Sequence, residues 1–259
     1  MSALLLTLFF LIIVLAFAYF LILKHKNISL IDIFWSLLFL VISIVNFFYF
    51  ENYSLVNIIT LILITLWSLR LSIYLFNRNW GKSEDFRYNQ ISSRWTKNRN
   101  LNILVKVVLL QGLLSFVVSL PIQYIFRSNR ILDSNSIFIF IFSIILFLIG
   151  FLFESLADYQ LMKFKKDKKN TGKLLVSGLW SKSRHPNHFG NFLIWWSFFL
   201  ISTTQINTLD IWIIMSPILM TVLLRYISGV PMLEKKFKNH PDFEKYEKNT
   251  PIFFPKLFK

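Results

Sequence analysis

The chain has 259 residues, of which 55% are hydrophobic and 16% are charged, and its formal net charge is +15. Soluble domains carry about 25% charged residues, so this composition argues against an ordinary soluble globular protein. Cysteine is absent, which excludes disulfides, thiolate metal sites and cysteine nucleophiles. The positive charge is compatible with nucleic acid, anionic lipid, a phosphorylated ligand or membrane topology.

Seven apolar runs follow one another along the chain, and most reach the length of about 20 residues that a membrane helix needs. The first run has no basic residue before its apolar core, which favours a membrane span over a secretory signal peptide. The sequence therefore predicts an all-α integral membrane protein: a bundle of about seven transmembrane helices, forming a single polytopic domain over residues 1–259. The runs span residues 3–23, 30–50, 55–76, 103–126, 136–159, 189–203 and 209–227.

Basic residues are distributed unevenly around these runs. If the N-terminus lies outside, 23 of the 28 Lys and Arg residues fall in the cytoplasmic segments 24–29, 77–102, 160–188 and 228–259. Cytoplasmic loops of membrane proteins are enriched in Lys and Arg, so the bias predicts an outer N-terminus and an inner C-terminus. Topology then accounts for the charge, and we expect membrane lipids rather than nucleic acid as partners.

Ionisable residues within the apolar runs are candidates for function, because a charge in the hydrocarbon region is costly and normally faces the bundle interior. Asp32 precedes Ser36 by four residues, and Arg70 precedes Tyr74 by the same spacing, so each pair shares a helical face. Alternatively, Asp32 and Arg70 pair with each other or extend to the membrane interface.

A second group of ionisable residues lies near the ends of later runs. Glu154 and Asp158 share a helical face at the end of the fifth run, and Arg225 lies near the end of the seventh. The two carboxylates can share a proton or bind a diol, or they can simply neutralise the lysines that follow them.

The densest polar cluster, GLWSKSRHPNHFG, occupies residues 178–190. Pro186 suits the first turn of a helix, so Arg184, His185 and Asn187 are predicted to surround a helix N-terminus. Free backbone N–H groups and nearby basic side chains make such an end suitable for a phosphate. We expect no metal there, because His185 and His188 are joined by only two other histidines in the chain.

The C-terminal segment 234–259 alternates aromatic and basic residues. This pattern predicts an amphipathic tail that lies as a helix on the membrane surface.

Four blocks of the sequence resemble a known family. They are NWGKSEDFRY (79–88), FESLADYQL (153–161), the block at 178–190 and SGVPMLE (228–234). Together they resemble a bacterial family of uncharacterised membrane proteins related to the steroid 5α-reductases and, more distantly, to isoprenylcysteine carboxyl methyltransferases. The resemblance extends over residues 32–255 and implies a steroid-reductase-like C-terminal core at 103–255. It also implies a location in a bacterial inner membrane.

The reductase resemblance implies an enzyme that uses NADPH to reduce an activated carbon–carbon double bond in a lipophilic substrate, such as a steroid-like molecule, an isoprenoid or another lipid. Asp32 falls at the position of the carboxylate that polarises the substrate carbonyl, and Arg70 and Tyr74 complete the implied catalytic set. Trp67 stands where these reductases have a tyrosine, so Asp32 is expected to be protonated and to act as the donor. Trp35, Ser36 and Trp67 are expected to contact the substrate.

The same resemblance implies a set of positions that hold the cofactor. They are Asn77, Arg78, Arg87, Tyr88, Asp158, Lys165, Lys173, Arg184, His185, Asn187 and Arg225.

The methyltransferase resemblance implies a different cofactor, S-adenosylmethionine, and a membrane-associated methyl acceptor. It rests on Arg184, His185 and Pro186, on Glu234 and on the ending at 246–255. The block around Asp158, the Asp32 and Arg70 pair and the seven apolar runs favour the reductase. A non-catalytic lipid-binding membrane protein remains a third possibility, and the oligomeric state is left open.

Overall fold

The computed structural model describes residues 1–205 and 208–256. All regular secondary structure in these ranges is helical, as the sequence predicts, and short 3₁₀ and π segments join or extend the α-helices. The α-helices are α1 (Ala3–His25), α2 (Ile31–Phe50), α3 (Leu55–Asn79), α4 (Phe86–Ser92), α5 (Arg99–Ile103), α6 (Leu110–Val118), α7 (Leu120–Arg127), α8 (Ser134–Lys166), α9 (Pro186–Thr203), α10 (Met215–Val222), α11 (Val230–Glu234) and α12 (Phe243–Asn249).

Six helical segments in the described ranges are long and apolar enough to cross a membrane, as in a multi-pass integral membrane protein. The run predicted at 189–203 forms α9, which is not among the six. Its first two turns contain Pro186, Asn187, His188 and Asn191, and these residues lower its mean hydropathy. The six segments are Ala3–His25, Ile28–Phe50, Leu55–Asn79, Arg99–Val118, Ser134–Lys166 and Asp210–Glu234.

Three of the predicted runs differ from the helices of the structure. The run at 103–126 is divided at Ser119, and α7 begins beyond it with Pro121 in its first turn. The run at 209–227 consists of a 3₁₀ segment, α10 and a π segment. Helix α8 continues past Tyr159 to Lys166, so its 33 residues measure about 50 Å, well beyond the hydrocarbon core of about 30 Å.

The chain forms two compact units. Unit 1 comprises Met1–Asp133 and Ile201–Ser216, and unit 2 comprises Ser134–Leu200 and Pro217–Lys259. The predicted core at 103–255 thus begins within unit 1 rather than at a boundary between the units.

Helix α2 occupies the centre of unit 1, where it packs against α1, α3, α6 and α7. Two reciprocal hydrogen bonds join it to α3. The Ser36 hydroxyl donates to the carbonyl oxygen of Ser68 at 2.9 Å, and the Ser72 hydroxyl donates to that of Ile33 at 3.0 Å. Small hydroxyl residues allow membrane helices to approach closely and to bond across the interface, so these bonds fix the register of α2 against α3.

Within unit 2, α8 and α9 approach each other through glycine. A Cβ atom on Gly190 would lie 2.5 Å from the carbonyl oxygen of Gly150 and 2.5 Å from the backbone nitrogen of Glu154. The two backbones are therefore in direct contact, which brings polar side chains of α9 within reach of α8.

Candidate functional site

The loop between α3 and α4 is held against the start of α2. The backbone N–H of Ile28 donates to Glu84 Oε2 at 2.7 Å, and the backbone N–H of Asp85 donates to the Ser29 hydroxyl oxygen at 2.7 Å. Asn79 donates from Nδ2 to the carbonyl oxygen of Ser29 at 2.8 Å. These contacts position the residues that follow, on α4, beside Asp32.

Asp32 is the centre of a buried ionic cluster in unit 1, here called the Asp32 cluster and defined by Asp32, Arg78, Asp85, Arg87 and Tyr88. Asp32 Oδ2 accepts from Arg78 Nη2 at 3.1 Å and from Arg87 Nη2 at 2.8 Å. Its other oxygen, Oδ1, accepts a hydrogen bond from the Tyr88 hydroxyl. Asp32 is 9% exposed and Tyr88 is 7% exposed. The cluster is therefore largely shielded from solvent.

Asp85 orients one of the arginines in this cluster. It caps the N-terminus of α4 and accepts from Arg87 Nε at 3.0 Å and from Nη2 at 3.2 Å. Burial raises the pKa of Asp85, but the bonds and charges of Arg87 and Arg78 outweigh it and leave this pKa lowered. Two carboxylates thus balance two guanidinium groups.

Tyr88 is the group that carries a proton in this cluster. Burial, followed by the negative charge of Asp32, raises the pKa of Tyr88 well above its ordinary value, so the phenol stays protonated. Asp32 accepts all three of its hydrogen bonds in the cluster. The expectation that Asp32 is protonated stays a prediction, and in this geometry Tyr88 is the donor of the hydrogen bond between them.

The structure brings together only some of the residues predicted for catalysis and substrate contact. The Ser36 hydroxyl is used in the bond to α3, and Trp67 is completely buried against Phe39 at 5.7 Å between ring centroids. Trp35 also contacts Phe39, with 5.1 Å between the ring centroids. Arg70 and Tyr74 lie one turn apart on α3 and are partly buried.

The residues predicted for the cofactor near α3 and α4 also divide. Arg78, Arg87 and Tyr88 belong to the Asp32 cluster, whereas Asn77 is exposed. Asn79, which the sequence analysis did not single out, is the buried amide here and accepts from Arg78 Nε at 3.0 Å.

Unit 2 contains a second ionic cluster, here called the Arg184 cluster and defined by Arg184, His185, Glu234 and Glu247. Arg184 Nη1 lies 3.0 Å from Glu247 Oε1 and 3.3 Å from Glu234 Oε1, and His185 Nε2 lies 3.0 Å from the same Glu234 oxygen. Burial lowers the pKa of His185 despite the opposing effect of Glu234, so the imidazole is neutral at pH 7. The Arg184 guanidinium is thus paired with two carboxylates of the protein itself, those of Glu234 and Glu247.

The C-terminal tail is not a single surface helix, so that prediction is wrong. Its described part contains only short helices, and it folds onto the 178–190 block. The Arg184 backbone N–H donates to the carbonyl oxygen of Pro251 at 2.9 Å, and the Ser183 hydroxyl donates to that of Phe253 at 2.8 Å. Phe253 is buried and contacts Phe189. The aromatic residues of the tail therefore have apolar partners within unit 2.

Two carboxylate–amide pairs lie where α8 and α9 approach. Asn187 Nδ2 donates to Asp158 Oδ1 at 3.1 Å, and Asn191 Nδ2 donates to Glu154 Oε1 at 3.3 Å. Both carboxylates are buried. The Asn187 Oδ1 atom is also buried and accepts no hydrogen bond within the described residues. An acceptor oxygen left in this way is suited to a ligand that brings a donor.

The basic residues predicted to face phosphates have different surroundings. Lys165 and Lys173 are exposed at the end of α8 and in the loop beyond it. Arg225 is partly buried, with its guanidinium 4.8 Å from the centre of the Tyr226 ring. No group of three or more potential metal ligands occurs among the described residues.

Several residues of these clusters were missed by sequence reasoning. The sequence indicated Glu84 and Asp85 only as part of a family block, and it predicted no role for Gln111, which donates to the Tyr88 hydroxyl oxygen, for Asn191 or for Glu247. A polar residue within an apolar run is the signal that identifies Gln111 and Asn191. Glu247 has no such signal, because its role depends on how the tail folds.

The fold and these two clusters define a multi-helix membrane protein with buried ionic groups. The model of the family described as "Protein of unknown function (DUF1295)" matches residues 18–250, so the chain belongs to this family. The family is associated with steroid 5α-reductase-like proteins. The chain is also similar to an uncharacterized protein of Schizosaccharomyces pombe, with 28% identity over 263 residues that cover 90% of this chain and 74% of the relative. No solved structure matches the chain.

Proposed function

We propose that this protein is a membrane-bound, NADPH-dependent reductase of an activated carbon–carbon double bond in a lipophilic substrate. The observation that carries the proposal is the buried, protonated Tyr88 hydroxyl. It donates to Asp32, which also accepts hydrogen bonds from the guanidinium groups of Arg78 and Arg87. The association of the family with steroid 5α-reductase-like proteins supports it.

The Asp32 cluster suits the chemistry of a conjugated carbonyl compound. When such a double bond is reduced, a hydride adds to the β-carbon, a proton adds to the α-carbon, and negative charge builds up on the carbonyl oxygen between these events. Donors fixed in a buried site stabilise that charge more than water does. We assign this task to Tyr88, with Arg87 as the neighbouring cation. The Tyr88 hydroxyl would donate its hydrogen bond to the substrate oxygen instead of to Asp32 Oδ1. Asp32 is then a positioning residue.

The residues of unit 2 provide a donor set that fits a nucleotide. NADPH, when bound, supplies the hydride. Asp158 and the free oxygen of Asn187 suit hydroxyl and amide groups, as acidic residues do at ribose in other nucleotide sites. Lys165, Lys173 and Arg225 are the cations we assign to the phosphates. Arg184 and His185 are bonded to Glu234, so we assign them to holding the tail rather than to contacting the cofactor.

The topology of this enzyme belongs to the same proposal. With α9 as a seventh span, the Lys and Arg bias gives an outer N-terminus and an inner C-terminus. The end of α8 and the 178–190 block then face the cytoplasm, where NADPH is available. We propose the bacterial inner membrane as the location, with lipophilic substrates entering from the bilayer.

The test is a reduction assay on the purified protein in detergent, with NADPH and a panel of lipophilic enones. We expect consumption of NADPH and a product that has gained two hydrogen atoms. Replacement of one such donor lowers kcat by about 100-fold in other enzymes, so we expect a similar loss in Tyr88→Phe with little change in KM. Tyr49→Phe is the matched control, because Tyr49 is 40% exposed on the same unit.

Two results would contradict the proposal. One is that no enone in the panel is reduced while the protein remains folded. The other is that Tyr88→Phe is as active as Tyr49→Phe.

The contact between His185 and Glu234 favours a second candidate, an S-adenosylmethionine-dependent methyltransferase. This contact, 3.0 Å between His185 Nε2 and Glu234 Oε1, joins two sequence blocks that carry the methyltransferase resemblance. Transfer of a labelled methyl group from S-adenosylmethionine to a membrane extract, abolished in His185→Gln, would favour this candidate over the reductase.

A further inference from the structure

Gln111 is a partly buried polar contact of the Asp32 cluster to which no role has been assigned. It lies in the first turn of α6, directly after the π segment Leu104–Leu109, and single π turns are frequent at functional sites. Gln111 Nε2 donates to the Tyr88 hydroxyl oxygen at 3.3 Å. Gln111 Oε1 is buried and accepts no hydrogen bond from any residue that the structure describes.

The orientation of this amide follows from the rest of the cluster. Tyr88 has one hydroxyl proton, and that proton is donated to Asp32. Towards Gln111 the phenol oxygen can therefore only accept, so the NH₂ group of Gln111 must face it. The carbonyl oxygen of Gln111 is then turned away from Tyr88. The same orientation holds when a substrate carbonyl takes the Tyr88 proton in place of Asp32.

A buried acceptor without a donor is unfavourable. It costs about 1–3 kcal/mol, and a residue in a membrane span cannot recover this from lipid. The partner that satisfies Gln111 Oε1 must bring an O–H or N–H group. A water molecule held in a buried site needs about two to four polar partners. Tyr88 and Asp32 are already bonded to one another, and Asp32 is also bonded to Arg78 and Arg87.

We infer that Gln111 selects the substrate: the site takes a lipophilic carbonyl compound that carries a hydroxyl or N–H group close to its carbonyl. The carbonyl accepts from Tyr88, and the neighbouring donor bonds to Gln111 Oε1. The inference rests on the proposed function, because it takes Tyr88 as the group that meets the substrate carbonyl. It adds a specificity-determining residue and a requirement on the substrate that reductase chemistry alone does not impose.

A matched pair of probes tests this requirement. One is a cyclic enone with a decyl chain and a hydroxyl group on the carbon next to the carbonyl, and the other is its methyl ether. We expect the hydroxyl compound to bind the wild-type protein about tenfold more tightly, as for one hydrogen bond to a buried acceptor. Dissociation constants are measured by tryptophan fluorescence in nanodiscs without NADPH, so the result does not depend on reductase activity.

Variants assign the preference to Gln111. In Gln111→Leu the two compounds should bind equally, whereas Gln123→Leu should keep the tenfold preference. Gln123 is the matched control because its Nε2 bonds locally to Phe116 and Ser119 on the neighbouring turn. In Tyr88→Phe, which loses the group that orients Gln111, the preference should fall.

Three outcomes would overturn the inference. The first is equal binding of both probes to the wild-type protein, which a water molecule bound to Gln111 would produce. The second is a preference for the hydroxyl compound that persists in Gln111→Leu. The third is no binding of either probe. A melting temperature for each variant identifies any that fail to fold, and Tyr88→Phe then provides the second test. Selective binding without any reductase activity would instead leave Gln111 as a lipid-binding determinant and remove only the proposed function.

Discussion

Gly190→Ala should both destabilise the protein and weaken its cofactor site, because Gly190 is where α9 touches α8. The new Cβ would lie 2.5 Å from the backbone nitrogen of Glu154 and from the carbonyl oxygen of Gly150, whereas ordinary contacts begin at 3.4 Å. The helices must therefore separate by about 0.9 Å. Both clashes involve backbone, which cannot rotate away.

The separation sets the size of the effect. Backbone shifts forced by overpacking cost up to about 3 kcal/mol, and alanine recovers about 1 kcal/mol of helix propensity. The net loss of about 2 kcal/mol corresponds to a melting temperature about 4–8 °C lower. The Asn187–Asp158 bond, now 3.1 Å, would lengthen to about 4 Å and be lost. Cofactor affinity should therefore fall as well.

The assay combines melting temperature in detergent with titration of NADPH. Gly112→Ala is the control, because its Cβ would meet only the end of the flexible Leu15 side chain at 2.5 Å. A rotamer change of Leu15 costs about 0.5–1.5 kcal/mol, which the gain in helix propensity offsets. The reasoning is refuted if Gly190→Ala melts within a degree of Gly112→Ala, or if it binds NADPH as the wild type does.

Three further predictions concern the ionic clusters. Asp32→Asn should lower turnover at least tenfold while leaving NADPH affinity unchanged in a binding titration, and weakened NADPH affinity would show that its role is wrong. Arg184→Gln should cost about 3 kcal/mol and expose the tail to limited proteolysis, because its side chain is only 6% exposed, whereas Glu247→Gln should cost under about 1 kcal/mol because Glu247 is 52% exposed. Because the pKa of His185 is lowered from 6.5, its unfolded form takes up a proton first as the pH falls, so the wild-type protein should lose stability below about pH 6.5. His185→Gln should flatten that loss in melting curves recorded across the acidic range, and an unchanged slope would contradict the assignment.

The first three helices were predictable because their apolar runs have clear ends. Runs 3–23 and 55–76 correspond to α1 and α3 within three residues at each end. The end of α8 was not predictable, because the apolar pattern stops near Tyr159 while the helix continues. The residues that continue it are good helix formers, such as Gln160, Leu161, Met162 and Lys163. Hydropathy indicates which residues can lie in the hydrocarbon core, and it does not indicate where the helix ends.

The sites were predictable only where one residue carried its own signal. Asp32 stood out as a carboxylate inside an apolar run, and the Asp158 and Asn187 positions came from the family blocks. The partners of Asp32 could not be derived from spacing, since Arg87 and Tyr88 lie more than 50 positions away and reach it through the docking of a loop. Ser36 shares a helical face with Asp32, as predicted, yet its hydroxyl bonds to α3 rather than facing a ligand.

Ligand-dependent melting tests the central claim most directly. The purified protein is titrated in detergent with NADPH, NADH and S-adenosylmethionine, and the melting temperature is recorded. A ligand at 100 times its dissociation constant stabilises the folded state by about 2.7 kcal/mol, or about 5–10 °C here. The account predicts this rise with NADPH and its loss in Asn187→Ala and Asp158→Ala. A rise with S-adenosylmethionine and none with NADPH would contradict it.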